Sequence, residues 1–428
     1  MNTTPRNQVI HEKLKAVYAN DTVKSVFAPF HTLASEVINH IPSVEGAILV
    51  LSDCGLLVAL CHRLKKEGLD FSKVIFVAHT EEQEELSRNL TVKTWQLGYN
   101  DPIANFKQKA MGLKFDVVIG NPPYQPGKNK AAGKRAGSAA RIWHKFVEQS
   151  WTVLKDDGHL AFINPPHWRI PSTAIKSDPL RVTREIMRTH KIIWLQTGCE
   201  TYFNLTIGID AYVVMKRKTA NHFTNVKFHK NGDRQLSVDL QKIVLPTICD
   251  QMAFDIITKV TSDAAERIKL VQSPNTHEIA ERNTNVSRLK TDMHTVPMLA
   301  NIFGGAVNED KLVWSSIPHP LQSNPKVLVP NHGRYISFPV EEGKFGLSIG
   351  IAAVPFESLS EAQEFGSWMN SKIVKFFIKC YQDLDHFKFP TYAVELLPKL
   401  MGKIWTDKEL YEYFKLSSEE IQMIESFQ

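Results

Sequence analysis

Between about Val23 and Lys218, short apolar runs alternate with amphipathic stretches, a pattern that predicts strands and helices succeeding one another in a parallel α/β sheet. Gly46–Leu51 reads as a first strand and Leu56–Glu67 as the helix behind it. Lys73–Ala78 is a second strand followed by a Glu-rich helix through Arg88, Val92–Leu97 a short third strand, and Phe115–Ile119 the fourth. Ala140–Leu154 has helical spacing, with Ile142, Trp143, Phe146, Val147 and Val153 available for one apolar face. Asp156-Asp157-Gly158 is predicted to end that helix in a turn, before a fifth strand at His159–Asn164. Lys191–Gln196 and Ile207–Met215 supply two more strands, late in the sheet.

After about Lys218 the texture changes. Helical periodicity becomes patchy, turn residues are frequent, and strands such as Lys326–Val329 and Phe345–Ile351 are short. Ser358–Cys380 reads as a helical pair, because Ile373, Val374, Phe376 and Phe377 share a face, and a helical tail begins at Thr406. Two domains are therefore expected, 1–218 and 219–428, the second of mixed α+β structure.

Composition narrows the setting. The 428 residues are 43% hydrophobic and 22% charged, as in a soluble globular protein. No apolar stretch approaches the roughly 20 residues that cross a bilayer, and the polar stretch Met1–Lys13 has no apolar signal core, so a cytoplasmic protein without a membrane partner is expected. Cys54, Cys61, Cys199, Cys249 and Cys380 have no paired spacing, which argues against a zinc site or a disulfide framework. The net charge of +6 says little by itself, but its distribution says more. From Gly127 to Lys145 the chain carries Lys128, Lys130, Lys134, Arg135, Arg141 and Lys145 with no Asp or Glu, and interleaved glycines. A single-signed run of this kind suits the gripping of phosphates.

That basic run directly follows Phe115-Asp116-Val117-Val118-Ile119-Gly120-Asn121-Pro122-Pro123-Tyr124, where a buried strand delivers an amide, two prolines and an aromatic ring at its tip. The Asn121 side-chain oxygen accepts an N–H, Pro122 and Pro123 offer carbonyls on a backbone that proline holds still, and Tyr124 offers a ring to stack on a planar partner. Together they suit a flat nucleophile bearing an amino group. Ligands of open parallel sheets bind beyond the carboxyl ends of the strands, and four such ends, Ser52–Gly55, His79–Glu82, Asn100–Pro102 and Gly120–Tyr124, converge here.

The chain resembles a gamma-class DNA N6-adenine methyltransferase, of the type II restriction–modification group with a C-terminal target-recognition domain. The likeness runs from about Phe27 to Lys218, with a looser similarity from Lys326 to Leu400. Ile119-Gly120-Asn121-Pro122-Pro123-Tyr124-Gln125 matches the family's catalytic motif. Arg141–Leu154 with Gly158–Ile163 fits the helix and strand that follow it, and Tyr202-Phe203-Asn204 resembles the later motif whose aromatic packs on the target base. Phe27-Ala28-Pro29 resembles the N-terminal cofactor-contacting motif, although threonine usually stands where Ala28 does.

The resemblance implies a class-I methyltransferase (Rossmann-like) sheet and S-adenosylmethionine as cofactor. Asn121 and Pro122 would accept the two N–H bonds of an adenine amino group and free its lone pair for in-line attack on the sulfonium methyl. Tyr124 and Phe203 would stack on a base flipped from the duplex, and no metal is required. Cofactor contacts fall on Pro29, Asp53, Cys54, Gly55, Glu81 and Asp101, and DNA phosphates on Lys128, Lys130, Lys134, Arg135 and Arg141. Double-stranded DNA is the implied partner of a monomeric enzyme, and a separate cognate restriction endonuclease is a further candidate partner.

Two cofactor loops depart from the family pattern. Where Asp-Pro-x-Cys-Gly-x-Gly is usual, the chain reads Leu51-Ser52-Asp53-Cys54-Gly55-Leu56-Leu57, with a leucine for the second glycine. The second-loop acid should fall near Ala78, and the nearest carboxylates are Glu81 and Glu82. Two other readings stay open: a DNA-binding protein on an impaired methyltransferase fold, and a methyltransferase for another planar nitrogen, an RNA guanine or a protein glutamine.

Overall fold

The computed structural model describes residues 32–426 apart from 79–80, 91, 98–101, 125–140, 170–177, 204, 206, 229–234, 247–250, 264, 280–282, 303–305, 334–335 and 383–388. Residues 32–39 are helical (α1). Then follow β1 (Ile48–Leu51), α2 (Cys54–Glu67), β2 (Val74–Ala78), α3 (Glu81–Asn89), β3 (Lys93–Gln96), α4 (Pro102–Lys109), β4 (Phe115–Gly120), α5 (Trp143–Val153) and β5 (Leu154–Asn164). The unit continues with α6 (Arg181–Thr189), β6 (His190–Thr197), β7 (Asp210–Lys218), β8 (Phe223–Phe228) and β9 (Gln235–Asp239).

All four side chains of β1 are buried, the signature of a strand at the centre of a parallel sheet covered on both faces. The sheet order among the described strands is β3-β2-β1-β4-β5-β7-β6-β8-β9. β1 runs parallel to β2 on one side and to β4 on the other, while β7 is antiparallel to both β5 and β6. This is the expected α/β class, a class-I methyltransferase sheet. Its strand order reverses between β1 and β4, so the loops after these two strands flank the switch-point crevice where ligands of such sheets bind.

Three boundaries differ from the sequence expectation, each because of long-range pairing. The sheet does not stop at Lys218: β8 pairs parallel with β6 and β9 antiparallel with β8. The compact units accordingly divide between Leu245 and Pro246. Asp156-Asp157-Gly158 lies within β5, where four residues bulge out between the pairings Phe115↔Leu154 and Val117↔His159. Asp157 takes a left-handed φ of 61° there, and a Cβ on Gly158 would meet the Asp116 carbonyl oxygen at 2.8 Å. Finally, the expected strand Phe345–Ile351 is two strands in two sheets.

The second unit comprises α7 (Gln251–Thr261), β10 (Val271–Gln272), β11 (Val286–Ser287), β12 (Val296–Leu299), β13 (Leu312–Ser315), β14 (Lys326–Pro330), β15 (Val340–Glu341), β16 (Gly346–Leu347) and β17 (Ile351–Pro355). Helices α8 (Leu359–Met369), α9 (Lys372–Tyr381), α10 (Thr391–Val394), α11 (Asp407–Tyr413) and α12 (Ser418–Ser426) follow. The strands form two four-stranded sheets, β10-β17-β14-β15 and β11-β13-β12-β16, giving the mixed α+β structure expected. Ser358 and Glu361 close a reciprocal capping box at the start of α8, which explains the sharp strand-to-helix change. Among the described residues, no helix is long and apolar enough to cross a membrane.

Candidate active site

The tips of β1 and β4 lie side by side because Leu51 pairs with Gly120. Only glycine fits at 120: a Cβ there would stand 2.9 Å from the Leu51 Cβ and 3.1 Å from a Phe162 ring carbon. Beyond the pair both chains turn. Ser52 adopts a left-handed φ of 60°, an uncommon state for a non-glycine residue, and this turn starts α2 with Asp53 as its N-cap. The Asp53 Oδ1 accepts the Leu56 N–H at 2.9 Å, satisfying one of the free donors at the helix start.

The other carboxylate oxygen reaches the β4 tip. The Asn121 side-chain Nδ2 donates to Asp53 Oδ2 at 3.1 Å, and the Tyr124 hydroxyl donates to Asn121 Oδ1 at 3.0 Å. Asn121 is thus held at both ends, by an acceptor on its nitrogen and a donor on its oxygen. An amide oxygen has two lone-pair sites, so one remains for a further N–H. The Asn121 backbone N–H is anchored to the Leu51 carbonyl at 3.3 Å, and the Tyr124 carbonyl accepts the Ile142 N–H at 3.1 Å, which ties the tip to the start of α5.

Burial shapes the titration of these groups. It pushes the Asp53 carboxyl up to about 6, against the opposing pull of N–H bonds from Leu56, Asn121 and Gly55. The Cys54 thiol is pushed up to about 12, first by burial and then by the Asp53 charge, so it stays protonated. Burial, with Asp53 and Cys199 adding to it, also raises the Tyr124 phenol far above its usual range, so its hydroxyl remains a donor.

Tyr124, Cys54, Tyr202, Phe203 and Ile207 all pack, partly buried, on the same core cluster. A 3₁₀ turn at Cys199–Phe203 brings Phe203 to this side, held by a 3.2 Å bond from the Ile209 N–H to the Glu200 carboxylate. Leu57, which stands where the family has its second glycine, is fully buried in that core.

The remaining sequence candidates fare differently. Gly55 is buried in the first turn of α2. Glu81 begins α3 with an exposed side chain, while Gln83, not singled out from the sequence, donates to the Ser52 carbonyl at 3.1 Å and joins the first two loops. Arg141 sits half-buried just before α5. Pro29, Asp101, Lys128, Lys130, Lys134 and Arg135 lie outside the described residues.

A buried polar group at the neighbouring tip was missed. β5 ends in Asn164-Pro165-Pro166, a second Asn-Pro-Pro beside the first, and this repetition was its available signal. Asn164 is fully buried and its Nδ2 donates to the Tyr212 hydroxyl at 2.8 Å. Its strand partner Asp210 accepts two bonds from Arg169, at 2.7 and 3.0 Å, both side chains being almost wholly buried. Arg169 also donates to the Leu245 carbonyl at 3.1 Å. These groups lie about the ends of β5 and β7, and β5 is the strand next to β4.

Part of this chain is similar to known proteins. Residues 58–196 match the family described as Eco57I restriction-modification methylase. An uncharacterised adenine-specific methylase of Mycoplasma pneumoniae is 27% identical over 197 residues, 43% of this chain and 44% of that protein. The chain thus spans less than half the length of that curated relative. Among solved structures, the type I restriction-modification methyltransferase subunit of Streptococcus thermophilus is 15% identical, with half of each chain covered and a TM-score of 0.35. The type IIG restriction endonuclease BpuSI is 11% identical, with 97% of this chain and 61% of that one covered and a TM-score of 0.38.

Proposed function

We propose, for a chain whose residues 58–196 match the family described as Eco57I restriction-modification methylase, that the protein transfers a methyl group from S-adenosylmethionine to the N6 amino group of adenine in duplex DNA. The observation that carries this reading is the clamped amide of Asn121. The bond from its nitrogen to Asp53 fixes the amide's orientation, and its oxygen, which accepts from Tyr124, keeps a second lone-pair site for a ligand. That oxygen and the Pro122 carbonyl are two acceptors on consecutive residues, matching the two N–H bonds of an exocyclic amine. A purine amino group is a poor nucleophile because its lone pair is delocalised into the ring, and two acceptors favour the pyramidal nitrogen that releases it.

The cofactor, when bound, supplies an electrophilic sulfonium methyl. The residues present fit it: the Asp53 carboxylate after β1 suits a cationic amino group, and the exposed Glu81 after β2 suits ribose hydroxyls. Pro29, Cys54, Gly55 and Asp101 complete the proposed cofactor set. Tyr124 and Phe203, both packed partly buried on the same core cluster, are assigned to stack on a base taken out of the duplex. Holding the amine in line with the methyl supplies much of the rate, since orientation is worth roughly 7–11 kcal/mol in favourable cases. Lys128, Lys130, Lys134, Arg135 and Arg141 are assigned to DNA phosphates, and the second unit to target recognition. The M. pneumoniae relative's description as adenine-specific supports the choice of base.

The test is direct. Duplex DNA incubated with the protein and methyl-labelled S-adenosylmethionine is expected to gain label on adenine N6, mapped to one sequence, and Asn121→Ala is expected to abolish it. Labelling of RNA or of protein glutamine in place of DNA would overturn the substrate assignment. Absence of both labelling and cofactor binding would leave a DNA-binding protein on an impaired methyltransferase fold.

A further inference from the structure

The loop joining β11 to β12 presents two large apolar side chains to water: Leu289 and Met293 each remain 75% exposed. Every residue from Arg288 to Met293 is exposed, so the apolar pair sits on a projecting tip with Arg288, Lys290 and Asp292. Single exposed apolar residues need no explanation, but two on a six-residue tip with flanking cations do.

The tip has a set shape. His294 holds its base from two sides, with Nε2 against the Thr284 carbonyl at 2.9 Å and Nδ1 against the Thr291 hydroxyl at 2.9 Å. This geometry suits the tautomer in which Nε2 carries the hydrogen and Nδ1 accepts from Thr291. The Thr291 hydroxyl also accepts the His294 N–H at 3.1 Å, and the Leu289 N–H is held by the Ser287 hydroxyl at 3.1 Å. The Lys290 ammonium lies 5.0 Å from the centroid of Trp314 on β13. Leu289 and Met293 are therefore presented outward by a fixed scaffold.

We propose that this tip is a wedge for duplex DNA: it enters the minor groove, lodges Leu289 and Met293 against or between base steps, and sets Arg288 and Lys290 toward the flanking phosphates. The proposal rests on the DNA reading above and adds how the second unit would engage the duplex. A six-residue exposed tip whose two cations outnumber its one acid suits a groove better than a protein surface, because a stable protein interface needs about 800 Å² from each partner. A base-step wedge needs only one or two apolar side chains, which unstack and kink the duplex.

The experiment uses the full chain and a duplex carrying the methylated sequence mapped above, with a fluorophore pair at its ends to report bending. Wild type is expected to bend the duplex on binding. Leu289→Ser with Met293→Ser is expected to lose most of the bend and to bind about ten-fold more weakly, or worse, at the same salt. Its slope of log affinity against log salt should be unchanged, whereas Arg288→Gln with Lys290→Gln should flatten that slope by roughly 2. A wild type that methylates and binds DNA without bending it, or a serine double variant that bends and binds like wild type, overturns the wedge and leaves the methyltransferase standing. A wild type that neither binds nor methylates DNA overturns both. Altered self-association of the serine double variant, with unaltered DNA binding, would assign the tip to a protein contact and overturn the wedge.

Discussion

Replacing Asp53 with asparagine separates the two tasks of this carboxylate. One oxygen caps α2 through the Leu56 N–H, and asparagine caps as well as aspartate does. The other accepts the Asn121 amide N–H, where the new side chain would put an NH₂ against an NH₂. Asn121 relieves that conflict by a half-turn of its amide, which sends its oxygen to the new donor and turns its nitrogen toward the ligand. A donor then faces the target amine in place of an acceptor, and methylation is expected to fall by about 100-fold or more.

Stability should move in the opposite sense. Burial raises the Asp53 carboxyl from 3.8 to about 6. Its folded value lies above its unfolded value, so its contribution to stability is complete below about pH 4 and is lost as pH rises through 6. Between pH 5 and pH 8 the wild type loses at most about 1.4 kcal/mol through this group, the half-buried carboxylate's contact with water trimming that figure. The Asp53→Asn variant carries no such group, so its stability relative to wild type should improve over that interval. Denaturant unfolding of both proteins at pH 5 and pH 8, with methylation rates measured in parallel, tests the two effects. Parallel pH dependences would refute the buried carboxylate, and wild-type methylation by the variant would refute its hold on Asn121.

Tyr124→Phe removes the hydroxyl from Asn121 Oδ1 but keeps the ring. It should cost about 1 kcal/mol in unfolding free energy, and its methylation rate should fall less than that of Tyr124→Ala, which also removes the stacking surface. Arg169→Ala leaves Asp210 charged and buried without its partner, a loss of roughly 3–5 kcal/mol that thermal unfolding would register. Lys326 and Glu341 form a fully buried ion pair between β14 and β15, and the Lys326 ammonium also donates to the Leu321 and Asn324 carbonyls, both at 2.9 Å. Lys326→Met should cost a similar roughly 3–5 kcal/mol, and adding Glu341→Gln should recover much of it, because the stranded charge is the main penalty. A single variant as stable as wild type would contradict the burial of the pair.

The sequence by itself determined the features written in consecutive residues. Apolar runs such as Ile48–Leu51 and Phe115–Gly120 set the central strands, since a strand covered on both faces must be apolar throughout. The Asn121–Tyr124 tip was legible for the same reason: its amide, prolines and ring are neighbours, and their chemistry follows from residue type.

Tertiary structure alone decided what depends on pairing between distant segments. Asp53 and Asn121 are 68 positions apart, and the register of β1 against β4 makes the carboxylate the clamp of the amide. Arg169 finds Asp210 across 41 positions, and β8 carries the first unit beyond Lys218 by pairing with β6. Leu57 stands where the family pattern has a glycine, and its place in α2 buries it wholly in the core. Local pattern specifies which residues form an element and which face is apolar. Register and helix rotation then choose the partners of each polar side chain, and those are set by packing across the whole unit.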